Sequence, residues 1–380
     1  MMKYAMTWAA LVVATTASVA VGADVSSETK QPTLVWQTVS PDEIRGQGWK
    51  DVKAPFDRLP ARAESLVRPE VWTLSRDSSG LYVDFSTDAA TISVRWKLNT
   101  EEISFAHMAA TGVSGVDLYV HAEGHWRFLG VGRPTSFPDN TAEFATAGGP
   151  GTKAARYRLY LPLYNGVNSV EIGVPAEASL ELAKKGDAGG NSEKPIVVYG
   201  TSITQGGCAA RPGMAYTSLL GRRLDREVIN LGFSGNGRTE QELATLIAEL
   251  NPAAFVIDSL PNLTTALLSE RMPPFIEIIR KHHPKTPILL VQNPIYPPSL
   301  FVSSMGKRVV KANEILAKIH ADRIAAGDNA IMLVEACDLT VDGGEATVDG
   351  VHPTDLGFVM LADKLEPQLK QALGASLSSR

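Results

Sequence analysis

The sequence predicts two successive folding units, a β-sandwich of jelly-roll type followed by an α/β unit built on a parallel sheet. Three features predict this: alternating apolar and polar segments in the first half, continuous apolar segments separated by helical patterns in the second, and a polar, glycine-rich stretch between them. At 380 residues the chain is long enough for two average domains. We therefore assign residues 24–183 to the sandwich, 184–194 to a linker and 195–380 to the α/β unit.

The first 23 residues are typical of an export signal. Lys3 supplies the positive charge, residues 8–21 are mainly apolar, and small residues at 21–23 fit a cleavage site. Hydroxyl residues interrupt the apolar stretch, which makes a membrane-spanning anchor the weaker alternative. We expect cleavage near Ala23 and a secreted or periplasmic protein without stable membrane insertion.

The sandwich is predicted from short segments in which apolar and polar residues alternate, for example residues 81–85, 91–96 and 157–161. Alternation places the apolar side chains on one face of a strand. Glycine, asparagine, aspartate and proline recur between these segments, and many short strands with such turns favour a sandwich.

The α/β unit is predicted from strands that are apolar throughout and alternate with amphipathic helices. The predicted strands are residues 195–199, 228–231, 254–258, 287–291 and 330–334, and helical patterns cover 214–224 and 239–250. Such strands are buried on both faces, as in a parallel sheet covered by helices. Sites in these sheets lie at the carboxyl ends of the strands.

Charge and cysteine content narrow the function classes. A net charge of -5 and the lack of a long basic run argue against nucleic acid or a membrane surface as partner. The two cysteines, Cys208 and Cys337, are too few for a zinc site or a disulfide scaffold, and whether they pair is left open.

A nucleophile is predicted where the first strand of the α/β unit ends, in the sequence Tyr-Gly-Thr-Ser-Ile-Thr-Gln-Gly-Gly at residues 199–207. The glycines permit a tight turn that lifts the Ser202 hydroxyl to the rim of the sheet. Serine needs a neighbouring base to act as a nucleophile. A structural role as a helix N-cap is the alternative.

The matching base is predicted in Asp-Gly-Val-His-Pro at residues 349–353. Asp349 lies three residues before His352 and can bind its Nδ1, which fixes the tautomer and stabilises the imidazolium. A loop histidine bonded to backbone is the alternative. Other histidines, His107 among them, have no catalytic context in the sequence.

Two loops are candidates for stabilising an oxyanion, at residues 230–237 and 258–262, after the second and third strands. Backbone N–H groups and amide side chains placed there contribute about 3–4 kcal/mol each. Asn262 is a candidate amide donor. Glycine- and asparagine-rich loops are also common turns, but these two share the carboxyl edge of the sheet.

Taken in order, these four segments resemble the motif blocks of the SGNH, or GDSL-like, hydrolases. The resemblance implies a flavodoxin-like, three-layer α/β/α fold with Ser202 as nucleophile, His352 as base and Asp349 as its partner. It also implies an oxyanion hole formed by the N–H groups of Ser202 and Gly235 and the side chain of Asn262. Neither a metal nor an organic cofactor is needed.

The first unit carries a second resemblance. Residues 115–119, Gly-Val-Asp-Leu-Tyr, are similar to the Gly-x-Asp-Leu-Tyr signature of a β-rich module that precedes some SGNH esterases. Two departures from the family pattern are Thr201, where many relatives have aspartate, and Ser-Leu-Pro-Asn-Leu in place of Gly-x-Asn-Asp. They affect the inference about substrate more than the inference about activity.

The sequence therefore predicts a carboxylic ester hydrolase, with acetyl esters on a small or polymeric carbohydrate as the leading substrate. Arg211 and Tyr216, just past the nucleophile, are the predicted substrate contacts, and a surface ion pair is the alternative for Arg211. A lipase, thioesterase or acyltransferase of the same fold is the alternative within the enzyme class. Outside it, the alternative is an inactive carbohydrate-binding protein that uses Trp72, Trp96 and Trp126 as a stacking platform rather than as core.

Overall fold

The computed structural model describes residues 33–184 and 193–374. The predicted export signal and most of the predicted linker lie outside these residues, so the domain boundaries drawn from the sequence stay predictions. From Leu34 onward the chain forms one compact unit. Within the described ranges, no helix combines the length and apolar character needed to cross a membrane.

The first described range is a sandwich of two antiparallel sheets, which confirms the fold predicted from alternation. Its strands are β1 (Leu34–Thr38), β2 (Ile44–Arg45), β3 (Tyr82–Thr87), β4 (Thr91–Leu98), β5 (Val116–Ala122), β6 (His125–Gly132), β7 (Asp139–Ala145), β8 (Ala155–Tyr160), β9 (Val167–Pro175) and β10 (Leu180–Leu182). One sheet has the order β1-β9-β4-β7, and the other has the order β10-β3-β8-β5-β6 with β2 beside β3. Inward residues such as Val94, Leu118 and Ile172 form the shared core. Helices α1 (Pro69–Ser75) and α2 (Ala110–Val113) lie in its connections.

The second range is a parallel sheet covered by helices on both faces, which confirms the predicted three-layer fold. Its strands are β11 (Ile196–Gly200), β12 (Val228–Gly232), β13 (Ala254–Asp258), β14 (Ile288–Val291) and β15 (Ile331–Val334), in the order β12-β11-β13-β14-β15. Its helices are α3 (Ser202–Gln205), α4 (Tyr216–Arg223), α5 (Gln241–Ile247), α6 (Thr265–His282), α7 (Ser303–Ala325) and α8 (Asp355–Ala372). Alternate residues of β11 enter separate cores: Val197 packs with α5 and α6, and Val198 with α4 and α8.

The Gly-x-Asp-Leu-Tyr signature joins the sandwich to the α/β unit. Asp117 on β5 is fully buried, and its carboxylate accepts hydrogen bonds from Arg211 Nη1 at 2.7 Å and from the Gly213 N–H at 3.0 Å. Burial raises the pKa of Asp117, against the opposing effect of the Arg211 guanidinium. Because breaking a buried ion pair is costly, the segment that follows α3 is held against the sandwich.

Candidate active site

Two segments that are distant along the chain, one with Ser202 and one with Asp349 and His352, meet at the carboxyl edge of the parallel sheet. Ser202 Oγ lies 2.9 Å from His352 Nε2, and His352 Nδ1 lies 2.7 Å from Asp349 Oδ2. The hydroxyl, imidazole and carboxylate therefore form one continuous hydrogen-bonded chain. This is the arrangement in which an imidazole takes the proton of an attacking hydroxyl while a carboxylate orients it.

The position of Ser202 follows from the turn between β11 and α3. Thr201 is the N-cap of α3, and its Oγ1 accepts the N–H of Ile203 at 3.3 Å. The capping role considered for Ser202 is thus filled by its neighbour, and the Ser202 hydroxyl is left to face His352. Ser202 is 8% exposed, and Tyr164 of the sandwich donates its hydroxyl to the Ser202 carbonyl at 3.2 Å.

Asp349 holds both the backbone and the ring of His352. Its Oδ1 accepts the N–H groups of Val351 and His352, at 3.0 and 2.8 Å, while Oδ2 faces Nδ1 of the imidazole. Partial burial acts to raise the pKa of Asp349, but the hydrogen bonds from His352 and Val351 outweigh it and lower that pKa. The carboxylate is therefore ionised at neutral pH and able to stabilise an imidazolium.

The predicted oxyanion donors lie on the loops after β11, β12 and β13, three neighbouring strands. Gly235 is exposed in a turn with φ of 68°, a left-handed conformation that favours glycine. Ser202 is the first residue of α3, where a backbone N–H has no acceptor within the helix. Its N–H is thus available for another acceptor.

Asn262 lies beside the turn that contains Gly235. With its Oδ1 toward the backbone N–H groups of Asn236 and Gly237, the amide accepts two hydrogen bonds at 3.0 and 3.1 Å. The reverse orientation would set donor against donor and keep a single long contact, 3.4 Å from Nδ2 to the Phe233 carbonyl. The first orientation directs Nδ2 away from these N–H groups, as an oxyanion donor requires.

A layer of buried polar side chains lies beneath these loops. Arg58 donates to the carbonyls of Asn230 and Gly232 at 3.1 and 2.8 Å, and to that of Leu74 at 2.6 Å. Burial lowers the pKa of Arg58 to about 10. The guanidinium therefore fixes the end of β12, from which the Gly235 turn departs.

Gln205 and Asp77 continue this layer toward the nucleophile. Gln205 at the end of α3 donates to the Asp77 carboxylate at 2.9 Å and accepts the Ser234 N–H at 2.9 Å. Burial raises the pKa of Asp77 to about 7, against the opposing charge of Arg58. The helix α3 and the turn that contains Gly235 are thus tied to each other through the buried amide of Gln205.

Tyr216, predicted to contact substrate, belongs instead to this buried layer. It is 0% exposed, its hydroxyl donates to Asp258 Oδ2 at 2.8 Å, and Thr204 Oγ1 lies 3.0 Å from the same oxygen. Burial raises the pKa of Asp258 to about 6, against the hydrogen bonds from Tyr216 and Thr204. The prediction for Tyr216 is wrong because the helix it begins turns this side chain into the protein.

Arg211, the other predicted substrate contact, binds the sandwich in this structure, and its contact with substrate stays a prediction. Its guanidinium binds the carboxylate of Asp117 and the hydroxyl of Tyr119, and it lies 3.8 Å from the centre of the Phe128 ring. All three partners belong to the sandwich. The alternative of a surface ion pair is wrong, since the Asp117 carboxylate is buried.

The structure answers whether the two cysteines pair and removes one of the three tryptophans considered for a stacking platform. Cys208 and Cys337 are both buried free thiols, and desolvation raises the pKa of Cys208 to about 12. Cys208 lies close to Asp349 and His352: its Sγ, an Asp349 carboxylate oxygen and a His352 ring nitrogen all lie within 4.8 Å of one another.

Trp96 is 1% exposed and packs in the sandwich core, which excludes it from a stacking platform.

A cavity of about 580 Å³ opens beside His352. Its lining combines Ser234 and Asn236, which flank Gly235, with three ring-bearing residues of the sandwich, Phe105, His107 and Tyr164. The His107 and His352 ring centres are 5.9 Å apart. Sequence reasoning missed His107 because no local spacing links it to a motif that lies more than two hundred residues later.

Comparison with known proteins agrees with this architecture. Residues 193–370 match the family model of the GDSL-like lipase/acylhydrolase family, and residues 34–180 match that of the N-terminus of SGNH hydrolase-type esterases. A search of curated protein sequences found no match.

Several solved structures are similar. One, assigned as a GDSL-like lipase from Bacteroides ovatus, is 30% identical with a TM-score of 0.83 over 91% of this chain and 100% of its own. A salicylyl-acyltransferase from a tetracycline biosynthetic pathway is 19% identical, with a TM-score of 0.65 over 91% and 96% of the two chains. A family two carbohydrate esterase from Clostridium thermocellum, in complex with cellohexaose, is 16% identical, with a TM-score of 0.54 over 78% and 93%. The last two share the fold, and the first, with the family models, shows that this chain belongs to the GDSL-like lipase/acylhydrolase family.

Proposed function

We propose that this protein is a serine esterase in which Ser202 is the nucleophile, His352 the general base and Asp349 the residue that orients it. The observation that carries the proposal is the hydrogen-bonded chain from Ser202 Oγ to His352 Nε2 at 2.9 Å and from Nδ1 to Asp349 at 2.7 Å. The lowered pKa of Asp349 supports it, because an ionised carboxylate favours the imidazolium that forms during the reaction.

The proposed reaction has two steps. Ser202 Oγ attacks the ester carbonyl and its proton passes to His352 Nε2, which then protonates the departing alcohol and leaves an acyl-enzyme. Water, deprotonated by the same nitrogen, releases the acid and restores Ser202. The N–H groups of Ser202 and Gly235 and the amide of Asn262 stabilise the negative oxygen of both tetrahedral intermediates.

We propose acetyl esters on carbohydrate as the substrates. Two lines of reasoning support this choice: some proteins that share the fold are carbohydrate esterases, and an exported enzyme would meet polysaccharide outside the cytoplasm. Export itself is a proposal that rests on the first 23 residues. An N-terminus near Asp24 in the protein recovered from its native host would support it, and an intact N-terminus would contradict it.

The Ser202→Ala variant tests the enzyme assignment. We expect turnover of p-nitrophenyl acetate to fall by roughly 10⁴-fold or more, because the acyl-enzyme cannot form. The thermal unfolding midpoint should be unchanged. As a matched control, Ser269→Ala removes an exposed serine hydroxyl on α6 and should leave the rate unaltered. Wild-type turnover in Ser202→Ala would contradict the proposal.

The substrate is tested separately. Acetate release from a panel of acetylated polysaccharides, with Ser202→Ala as the blank, should identify at least one that is hydrolysed. On p-nitrophenyl esters the rate should drop sharply from acetyl and butyryl to octanoyl. A rate that rises with chain length favours a lipase or thioesterase, and transfer of acetyl to an added alcohol in place of water favours an acyltransferase.

A further inference from the structure

The cavity beside His352 is larger than an acetyl group needs, and much of its wall comes from the sandwich rather than from the α/β unit. Its volume of about 580 Å³ falls within the range of about 300–1,000 Å³ that is typical of small-molecule sites. The α/β unit contributes His352, Ser234 and Asn236. Phe105, His107 and Tyr164 come from the sandwich, and Leu74 comes from α1.

The three sandwich rings form a continuous surface that ends at the catalytic imidazole. Phe105 lies nearly parallel to His107, with ring centres 6.1 Å apart and an angle of 16°, and it meets Tyr164 edge-on at 5.7 Å. His107 then lies 5.9 Å from His352. His107 is exposed and Phe105 is only partly buried, so both rings keep some surface that a ligand can reach.

Hydrogen bonds fix this surface to the loop that carries the nucleophile. Tyr164 donates to the Ser202 carbonyl at 3.2 Å, and the Cys208 thiol donates to the His107 carbonyl at 3.4 Å. The Cys208 N–H also bonds Met108 Sδ at 3.4 Å. The ring surface is therefore held in place relative to the reacting hydroxyl, and binding needs little rearrangement.

From this geometry we infer that Phe105 and His107 form a subsite for a ring in the alcohol part of the ester, beside the oxygen that leaves. The inference rests on the proposed function. His352 must face the leaving oxygen to protonate it, and His352 lines this cavity, so the group attached to that oxygen extends along the same wall. A planar or chair-shaped ring packs its apolar face on such aromatic surfaces, while Glu70 and Thr73 offer polar partners for its substituents.

The test compares acetate esters that differ only in the alcohol: phenyl acetate, an acetylated methyl glucopyranoside and ethyl acetate. In Phe105→Ala we expect kcat/KM for at least one ring ester to fall by about 10-fold, mainly through KM, because loss of one stacked pair weakens binding. Hydrolysis of ethyl acetate should change less than about 2-fold, since its alcohol has no ring to contact the subsite, while the acetyl-enzyme is common to all three esters. His107→Ala should act in the same direction.

The controls separate this inference from the proposed function. His125→Ala removes an exposed histidine on β6 and should leave kcat/KM unchanged for all three esters. Phe105→Leu tests whether an aliphatic side chain of similar size can take the place of the ring. A loss confined to phenyl acetate identifies an aryl subsite, and a loss confined to the pyranoside identifies a sugar subsite. An equal loss for ethyl acetate, or no loss for either ring ester, overturns the subsite, whereas Ser202-dependent hydrolysis would still uphold the esterase.

Discussion

The loops at the sheet edge and the polar layer beneath them use the same residue types in opposite ways. Asp349 is exposed, and its pKa is lowered by hydrogen bonds from His352 and Val351 that outweigh partial burial. Asp258 is buried, and desolvation raises its pKa to about 6 although Tyr216 and Thr204 donate to it. The difference indicates two separate roles. The loops keep an ionised carboxylate beside His352, and the layer uses buried polar groups to hold the loops in position.

Asp349→Asn should have the largest effect in this comparison. An amide can present its donor to His352 Nδ1 and so select the wrong tautomer, and the analogous change in serine proteases lowers kcat by about 10⁴-fold. We expect a loss of roughly 10³–10⁴-fold in kcat with little change in the unfolding midpoint, since Asp349 is exposed. Steady-state kinetics and thermal melts check this.

Asp338 supplies the matched control for that variant. It is another loop aspartate whose pKa is lowered by hydrogen bonds, in this case from Thr340. Asp338→Asn should keep wild-type kcat. Equal activity of the two variants would mean that Asp349 does not orient the base.

Arg58→Met should affect stability rather than chemistry. It removes the donors to the Asn230, Gly232 and Leu74 carbonyls and leaves these acceptors buried. A buried acceptor left without its donor costs about 1–3 kcal/mol, so with three such carbonyls the free energy of unfolding from urea titration should fall by about 3 kcal/mol or more. The exposed Arg62, paired with Asp51 and Glu249, is the control, and Arg62→Met should cost about 1 kcal/mol or less. If both variants lost a similar free energy of unfolding, the buried polar layer would not stabilise the loops more than a surface ion pair does.

Asn262→Ala tests whether the loop after β13 stabilises the oxyanion. Removing one donor of this kind lowers kcat by about 10²–10³-fold, and KM should hardly change because the negative charge exists only in the transition state. Asn251→Ala, at an exposed asparagine before β13, should retain full activity. A rise in KM with normal kcat would instead assign Asn262 to ground-state binding.

Asp258→Asn should have the smallest effect, visible in the pH dependence of stability. Because the pKa of Asp258 is about 6 in the folded protein and 3.8 without burial, its protonated form stabilises the fold. That contribution is fully present below pH 4 and is lost as the pH rises through 6, by on the order of 2–3 kcal/mol. In urea titrations between these pH values, the free energy of unfolding should fall less steeply with rising pH in the variant than in the wild-type protein. Parallel curves would contradict the raised pKa.

The part of the site that lies in local sequence motifs can be predicted from the sequence, and the part that depends on packing between the two units cannot. Ser202, Asp349 and His352 can be predicted to act together because each lies in a short segment whose spacing has a chemical reason, and the structure brings the three side chains within hydrogen-bond distance. Tyr216 was misassigned because nearness in sequence to Ser202 does not determine the direction of a helical side chain. Phe105 and His107 were missed because they approach His352 only through packing between the sandwich and the α/β unit, which no local pattern encodes.

Covalent labelling of the active serine tests the central claim most directly. A fluorophosphonate reacts with a serine only when an adjacent base activates it, so peptide mass spectrometry of the labelled native protein should find one adduct, on Ser202. Labelling should be strongly slowed in His352→Ala and absent after unfolding in urea. An adduct on another serine, or labelling of Ser202 at the same rate without His352, would contradict the hydrogen-bonded relay on which the account depends.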